Sequence, residues 1–193
     1  MSIIYLASIG AADEEVLAAV EICLRRAFEL EVRRMQPLPE PDYARDAKSG
    51  QYSSSLVVRE LVGSCPAGAA RLLGVTERDL FIPMLTFVYG QAQLGGMAAV
   101  ISLARLRQEF YQMPSNPALL KIRAAKEALH EMGHTFGLVH CPGRECVMSL
   151  ATGIRQLDRK GGAFCPSCEV IYRERVTMMQ RKAAYPAGRE VLR

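Results

Sequence analysis

All three histidines of this chain fall within one segment, His130-Glu131-Met132-Gly133-His134-Thr135-Phe136-Gly137-Leu138-Val139-His140. On a helix, residues four apart project from one face a turn apart, so His130 and His134 can aim ring nitrogens at a common point. Glu131 adjoins that face, within reach of a water held between the rings without itself being a ligand. Gly137 is the residue type that ends a helix in the left-handed conformation and lets the chain double back. His140, three residues further on, can then supply a third nitrogen. Three neutral imidazoles around one divalent ion leave a fourth position for water, the arrangement of a catalytic rather than a structural zinc. The extended H-E-x-x-H-x-x-G-x-x-H string is far more specific than two spaced histidines. The chemistry it predicts is hydrolysis: the ion lowers the pKa of its water to about 7. Glu131 takes the proton as general base and returns it to the leaving group.

A second constellation follows directly. Cys141 adjoins His140, then come Cys146 and the pair Cys165-Pro166-Ser167-Cys168. Two short-spaced pairs separated by a loop are what a closed tetrahedral Cys₄ zinc needs, each pair gripping the ion as a knuckle. Two disulfides or four buried thiols are the alternative. Cys23 and Cys65 each stand alone, and core packing is the expectation for both. Met148 is one of nine methionines and, on its own, reads as core.

Several elements must position these residues. Ser2 to Ile9 is a continuous apolar run bounded by Gly10, as in a buried strand. From Ala11, apolar residues recur at helical spacing (Val16, Leu17, Val20, Cys23, Leu24, Phe28), with acidic residues at the start and Arg25-Arg26 near the end. Glu31 to Met35 reads as a second strand and the polar stretch Asp42 to Ser55 as a loop. A helix is predicted from about Ser54 to Leu61, then a turn at Gly63 to Gly68. Leu80 to Tyr89 and Ala98 to Leu106 read as strands. The motif helix has Asn116 as cap, Pro117 at its first position and an apolar stripe of Leu119, Leu120, Ile122, Ala125, Leu129 and Met132. Val170 to Ala183 is predicted as a terminal helix with Val170, Ile171, Val176 and Met179 on one side, and the tail from Pro186 is expected to fray.

Composition narrows the function classes. A chain of 193 residues, half of them apolar and 23% charged, suits one compact domain with a substantial core. Net charge is +4 and the basic residues are scattered, with few aromatics, which argues against nucleic-acid binding. No run approaches membrane-spanning length. Met1 to Gly10 looks like a first strand and not a signal peptide. That predicts a cytoplasmic location, where thiols and metal ligands outnumber disulfides, and a monomer is expected.

The string His130 to His140, then Cys141-x₄-Cys146-x-Met148, then Cys165-x₂-Cys168, resembles the archaemetzincin family of metallopeptidases, and upstream element order extends the likeness over the chain. The resemblance implies an α+β, metzincin-type fold: a twisted mixed sheet on two long helices, with a smaller carboxy-terminal lobe below a cleft. Residues 1–138 would form the upper part and 139–193 the lower part of a single peptidase domain. It implies two Zn²⁺ per chain, a catalytic one on His130, His134 and His140 with Glu131 as base, and a structural one on Cys141, Cys146, Cys165 and Cys168. Met148 would be the Met-turn methionine, an apolar floor beneath the catalytic ligands. Phe87-Val88-Tyr89-Gly90-Gln91-Ala92 would form the edge strand pairing with an extended peptide, although an ordinary hairpin fits the residues as well. The span between Met148 and Cys165 is one residue shorter than the family's usual pattern, a change a glycine-containing loop tolerates. Ser149 and Leu150 follow Met148, so the tyrosine that some metzincins use as an extra ligand is missing there. The expected activity is therefore zinc-dependent peptide hydrolysis. The competing readings are a fold-retaining zinc-binding or regulatory protein, a zinc hydrolase of non-peptide amides, and a nucleic-acid module built on the Cys₄ site. An intact Glu131 argues against the first, since metal storage has no use for that carboxylate.

Overall fold

The computed structural model describes residues 3–184. The opening apolar run forms strand β1 (Ile3–Ile9) and helix α1 (Glu14–Phe28) follows it. Asp13 caps that helix, its carboxylate accepting from the backbone N–H of Glu15 and Val16. Strand β2 (Glu31–Arg34) returns beside β1. A 3₁₀ turn (Asp42–Ala44), strand β3 (Tyr52–Ser53) and helix α2 (Ser54–Ser64) lead to strand β4 (Ala69–Thr76). Strands β5 (Leu80–Ile82), β6 (Leu85–Val88), β7 (Gly90–Ala92) and β8 (Ala98–Ser102) come next. The motif helix α3 (Pro117–Thr135), the short α4 (Ile154–Arg159) and α5 (Pro166–Ala184) complete the described chain.

Strand order in the main sheet is β2-β1-β4-β8-β7, parallel except for β7, which runs antiparallel to β8 at the edge. Alternation along the strands sends opposite side chains to two faces. Ile4, Leu6, Leu73, Val75, Ala99 and Ile101 meet α1 and α3 on one face. Ala7, Ile9, Leu72, Ala98 and Val100 meet Val57, Val58 and Leu61 of α2 on the other. Gly74 makes room for that second contact: a Cβ there would come 2.7 Å from Ile9 and 2.9 Å from Leu61. Phe28 and Phe136, at the ends of α1 and α3, stack on each other, and Tyr172 of α5 meets both edge to face, with centroids 4.9 to 5.3 Å apart. The Tyr172 hydroxyl donates to the Phe28 carbonyl at 2.8 Å. This docks the carboxy-terminal helix under the sheet–helix layers and makes the architecture the mixed α+β one expected.

Several element boundaries differ from the sequence reading. The central strand β4 has no clear mark in the sequence, because Ala69–Thr76 follows a turn signal and carries Arg71 and Gly74, which dilute an apolar run. Leu80 to Tyr89 is not one strand: Pro83-Met84 breaks it into β5 and β6, which join β3 in a separate three-stranded sheet. The loop read over Asp42 to Ser55 contains β3 and a 3₁₀ turn. Beyond Ser102, Ala104–Leu106 coils as a 3₁₀ turn where a strand was expected to continue. In α3, Ile122 faces solvent while Ala124 and Ala128 are buried. In α5, Val170 and Ile171 are exposed, and the buried side runs through Cys168 and Tyr172 towards half-buried Val176 and Met179. The tail from Pro186 lies outside the described residues.

One polar contact holds the end of α3. Arg71 is buried on β4, its Nε donates to the Thr135 carbonyl at 3.1 Å, and its guanidinium lies 4.5 Å from the Phe136 ring centre. A cation there completes orphan carbonyls and complements the helix dipole. Arg71→Met is expected to destabilise the protein by about 1–3 kcal/mol, measured as a fall in the urea midpoint at unchanged slope. An unchanged midpoint would show that the contact contributes nothing.

Candidate metal centre and cleft

Helix α3 ends in a turn that sets the whole site. Gly137 adopts φ +89, the Gly137 N–H donates to the His134 carbonyl at 2.9 Å, and the Leu138 N–H reaches back to Gly133 at 3.1 Å. This is the Schellman pattern, and the positive φ is why glycine ends the helix there. The reversal brings His140 back beside the last helical turns. His134 and His140 ring centroids lie 4.9 Å apart, and those of His130 and His140 5.4 Å.

Ring orientation is equally determined. His130 Nδ1 donates to the Val147 carbonyl at 2.8 Å, and His134 Nδ1 to the Leu138 carbonyl at 2.7 Å. A carbonyl only accepts, so each Nδ1 carries the hydrogen and each Nε2 a lone pair. The two Nε2 atoms face each other at 3.1 Å. Two lone pairs held that close repel unless a cation lies between them. Ligands 2.0–2.1 Å from a tetrahedral ion stand about 3.3 Å apart. With His140, the three ring nitrogens fall within 4.8 Å of one another, so the set fits one zinc. Burial lowers all three imidazole pKa values, that of His130 to about 2, which keeps them neutral and able to ligate.

The cysteines form a second cluster. Cys141, Cys146, Cys165 and Cys168 hold their sulfurs within 4.8 Å, and Cys141 and Cys165 Sγ are 3.8 Å apart. Four sulfurs 2.3 Å from one ion would be separated by about 3.8 Å. The Cys168 backbone N–H lowers the Cys165 thiol to about 7, towards the thiolate a metal needs. Burial raises Cys146. The short loop before Cys165 therefore does not keep the four apart. Cys23 and Cys65 are half-buried and lie elsewhere, as expected of packing residues.

Met148 is fully buried and its sulfur would sit 2.5 Å from a Cβ on Gly133. Glycine between Met132 and His134 is thus what lets the methionine press against the motif helix beneath the rings.

Above the rings opens a cleft of about 320 Å³, lined on one side by Leu85 to Gly90 and on the other by Leu150, Ala151 and Thr152, with His130, Glu131 and His140 between. Glu131 is buried, and burial followed by the neighbouring Glu127 carboxylate raises its pKa well above the carboxylate range. Gly90, at the head of β7, is packed against it: a Cβ would come 2.6 Å from Glu131 Cγ and 2.8 Å from the Val100 carbonyl. The proposed edge strand is therefore divided, with Phe87 and Val88 in the small sheet and Gly90–Ala92 on the edge of the main one.

Two residues at the cleft escaped the sequence reading. Glu127 lies one turn before Glu131, a spacing that could have flagged it. Lys160 carries no signal, since a lone lysine in a loop reads as solvated. Its ammonium is buried 3.9 Å from Glu127 Oε2. It also lies 3.4 Å from His130 Nδ1, but two donors face each other there, so the carboxylates are its partners.

A cleft between a mixed sheet and a smaller lobe, floored by three converging imidazoles and a buried glutamate, defines a metzincin-type zinc metallopeptidase. The comparisons with known proteins are specific. The sequence model of peptidase family M54 matches residues 67–173. The archaemetzincin of Methanocaldococcus jannaschii is 47% identical over 128 residues, 66% of this chain and 69% of that one. The crystal structure of the Methanopyrus kandleri archaemetzincin superposes with a TM-score of 0.80 at 31% identity, covering 91% of this chain and 96% of the other. A zinc-dependent peptidase from Methanocorpusculum labreanum gives a TM-score of 0.81 at 29% identity, covering 88% and 99%. This chain belongs to peptidase family M54, the archaemetzincins, and is a zinc metallopeptidase.

Gly90→Ala is expected to displace Glu131 while leaving the imidazoles in place. Zinc content should be unchanged and kcat lower by on the order of 10²-fold. Wild-type turnover in that variant would mean that the glutamate does not depend on the close approach.

Proposed function

We propose that His130, His134 and His140 hold the catalytic zinc, with Glu131 as general base, and that Cys141, Cys146, Cys165 and Cys168 hold a second, structural zinc. The observation that carries the first assignment is the pair of Nε2 atoms held 3.1 Å apart, each left with its lone pair by the bond that Nδ1–H makes to a backbone carbonyl. Zinc in a site of three neutral nitrogens supplies Lewis acidity towards water and towards a substrate carbonyl.

The chain's own residues do the rest. Glu131 accepts the proton of the attacking water and delivers it to the departing amine. Burial and the neighbouring Glu127 carboxylate push its pKa up, which strengthens it as a proton acceptor relative to an exposed carboxylate. Gly90 admits this side chain beside β7, and Met148 supports the helix from below. The free backbone edge of β7 suits an extended peptide, whose main chain it would align across the cleft. Val147 and Leu138 carbonyls keep both helical rings in the ligating tautomer.

The division of the domain at residue 138 follows the same logic: among the described residues, those up to Leu138 carry sheet, cleft wall and motif helix, and those from Val139 the cysteine cluster and lower wall. Free thiols at Cys23 and Cys65, together with a four-cysteine cluster elsewhere in the chain, suit a reducing compartment, which supports a cytoplasmic placement. Among the described residues no helix is long and apolar enough to cross a membrane. A monomer suffices, because every proposed ligand and the base come from one chain.

Glu131→Ala should keep its metal by elemental analysis and lose hydrolysis of a peptide mixture by on the order of 10³-fold. Cys168→Ser should instead release the structural ion and lower the melting temperature. Hydrolysis by Glu131→Ala at the parental rate would remove the general-base assignment.

A further inference from the structure

Between β8 and α3 the chain leaves three large apolar side chains in water: Phe110 is 46% exposed, Tyr111 36% and Met113 50%. They are ordered. Phe110 and Tyr111 meet edge to face with centroids 5.2 Å apart, and the Tyr111 hydroxyl donates to the Arg105 carbonyl at 3.0 Å. The Arg105 guanidinium lies 4.7 Å from the Phe110 ring centre and 4.3 Å from that of Phe87. Its Nε and Nη2 donate to the two Asp79 oxygens at 2.7 and 2.8 Å, which fixes the plane of the guanidinium. Phe87 is itself a wall of the catalytic cleft. Phe87, Arg105, Phe110 and Tyr111 therefore make one continuous aromatic ledge, running from the cleft out over the surface.

Clustered, exposed aromatic and arginine side chains are the composition of a recognition surface. We infer that this ledge is a distal part of the substrate-binding surface and receives an apolar side chain of a peptide long enough to leave the cleft. The inference rests on the peptidase reading above and adds to it a preference for extended substrates with an apolar residue away from the scissile bond. Continuity with the cleft through Phe87 favours this occupant. A second copy of the chain is a poorer fit, since a few side chains fall well short of the roughly 800 Å² per partner of a stable interface.

Three peptides sharing one cleavage site test it: a short one confined to the cleft, a long one whose extension carries leucines, and the same long peptide with serines there. In the zinc-loaded wild type, kcat/KM should be highest for the leucine peptide. Phe110→Ser should lower the leucine-to-short ratio roughly tenfold, chiefly through KM, and Phe110→Tyr should restore it. A ratio unmoved by Phe110→Ser, with the short peptide still cleaved, would overturn the ledge and leave the peptidase reading intact. Should no peptide be cleaved, affinity for zinc-loaded Glu131→Gln protein decides, and equal affinity for all three peptides again overturns the ledge. A change in sedimentation without a change in length preference would assign the surface to a second copy and also refute the proposal.

Discussion

Holding two imidazole lone pairs 3.1 Å apart is unfavourable for the bare protein, and much of the fold serves to impose it. The repulsion is offset by contacts that cost little elsewhere: a glycine-ended helix, two carbonyls aimed at Nδ1 atoms, and a methionine wedged where Gly133 leaves room. Each constrains a ring that would otherwise rotate to relieve the strain. A cation turns the same geometry from a penalty into an attraction, which is how a preorganised metal site concentrates its binding energy.

The supports come from distant parts of the chain. Arg71 on the central strand completes the carbonyl at the end of α3, and Gly95, in the β7–β8 turn, donates to the His134 carbonyl at 2.9 Å. From below, the Cys141 N–H donates to the Met148 carbonyl at 2.9 Å, which links the cysteine cluster to the methionine turn. Val147, between Cys146 and Met148, presents the carbonyl that orients His130. A structural ion on the four sulfurs would therefore stiffen the catalytic site through three consecutive residues. At the cleft itself, Glu131 is enclosed by Gly90, Glu127 and Lys160, a polar environment inside an otherwise apolar wall.

What was legible in the sequence was local. The histidine spacing, Gly137, the Asn116 cap and the cysteine pairs are read within a few residues of each other, and each stands in the structure where its spacing placed it. The Asn116 side chain accepts from the Leu119 N–H at 3.0 Å, as its position predicted. The features that escaped are set by tertiary contact. Strand β4 is central yet carries Arg71 and Gly74, because one must reach the end of α3 and the other must admit α2. The edge strand divides at Tyr89 because Val88 pairs with β5 while Gly90 pairs with β8. Lys160 is buried only because two carboxylates from a helix more than twenty residues away lie opposite it, and no spacing along the chain announces that.

The most direct test is anomalous diffraction at the zinc edge on crystals of the zinc-loaded protein. Two peaks are expected: one 2.0–2.1 Å from a ring nitrogen of each histidine, with solvent in its fourth position, and one about 2.3 Å from all four cysteine sulfurs. A histidine ring turned away from the first peak, or a protein side chain filling its fourth position, would contradict the account.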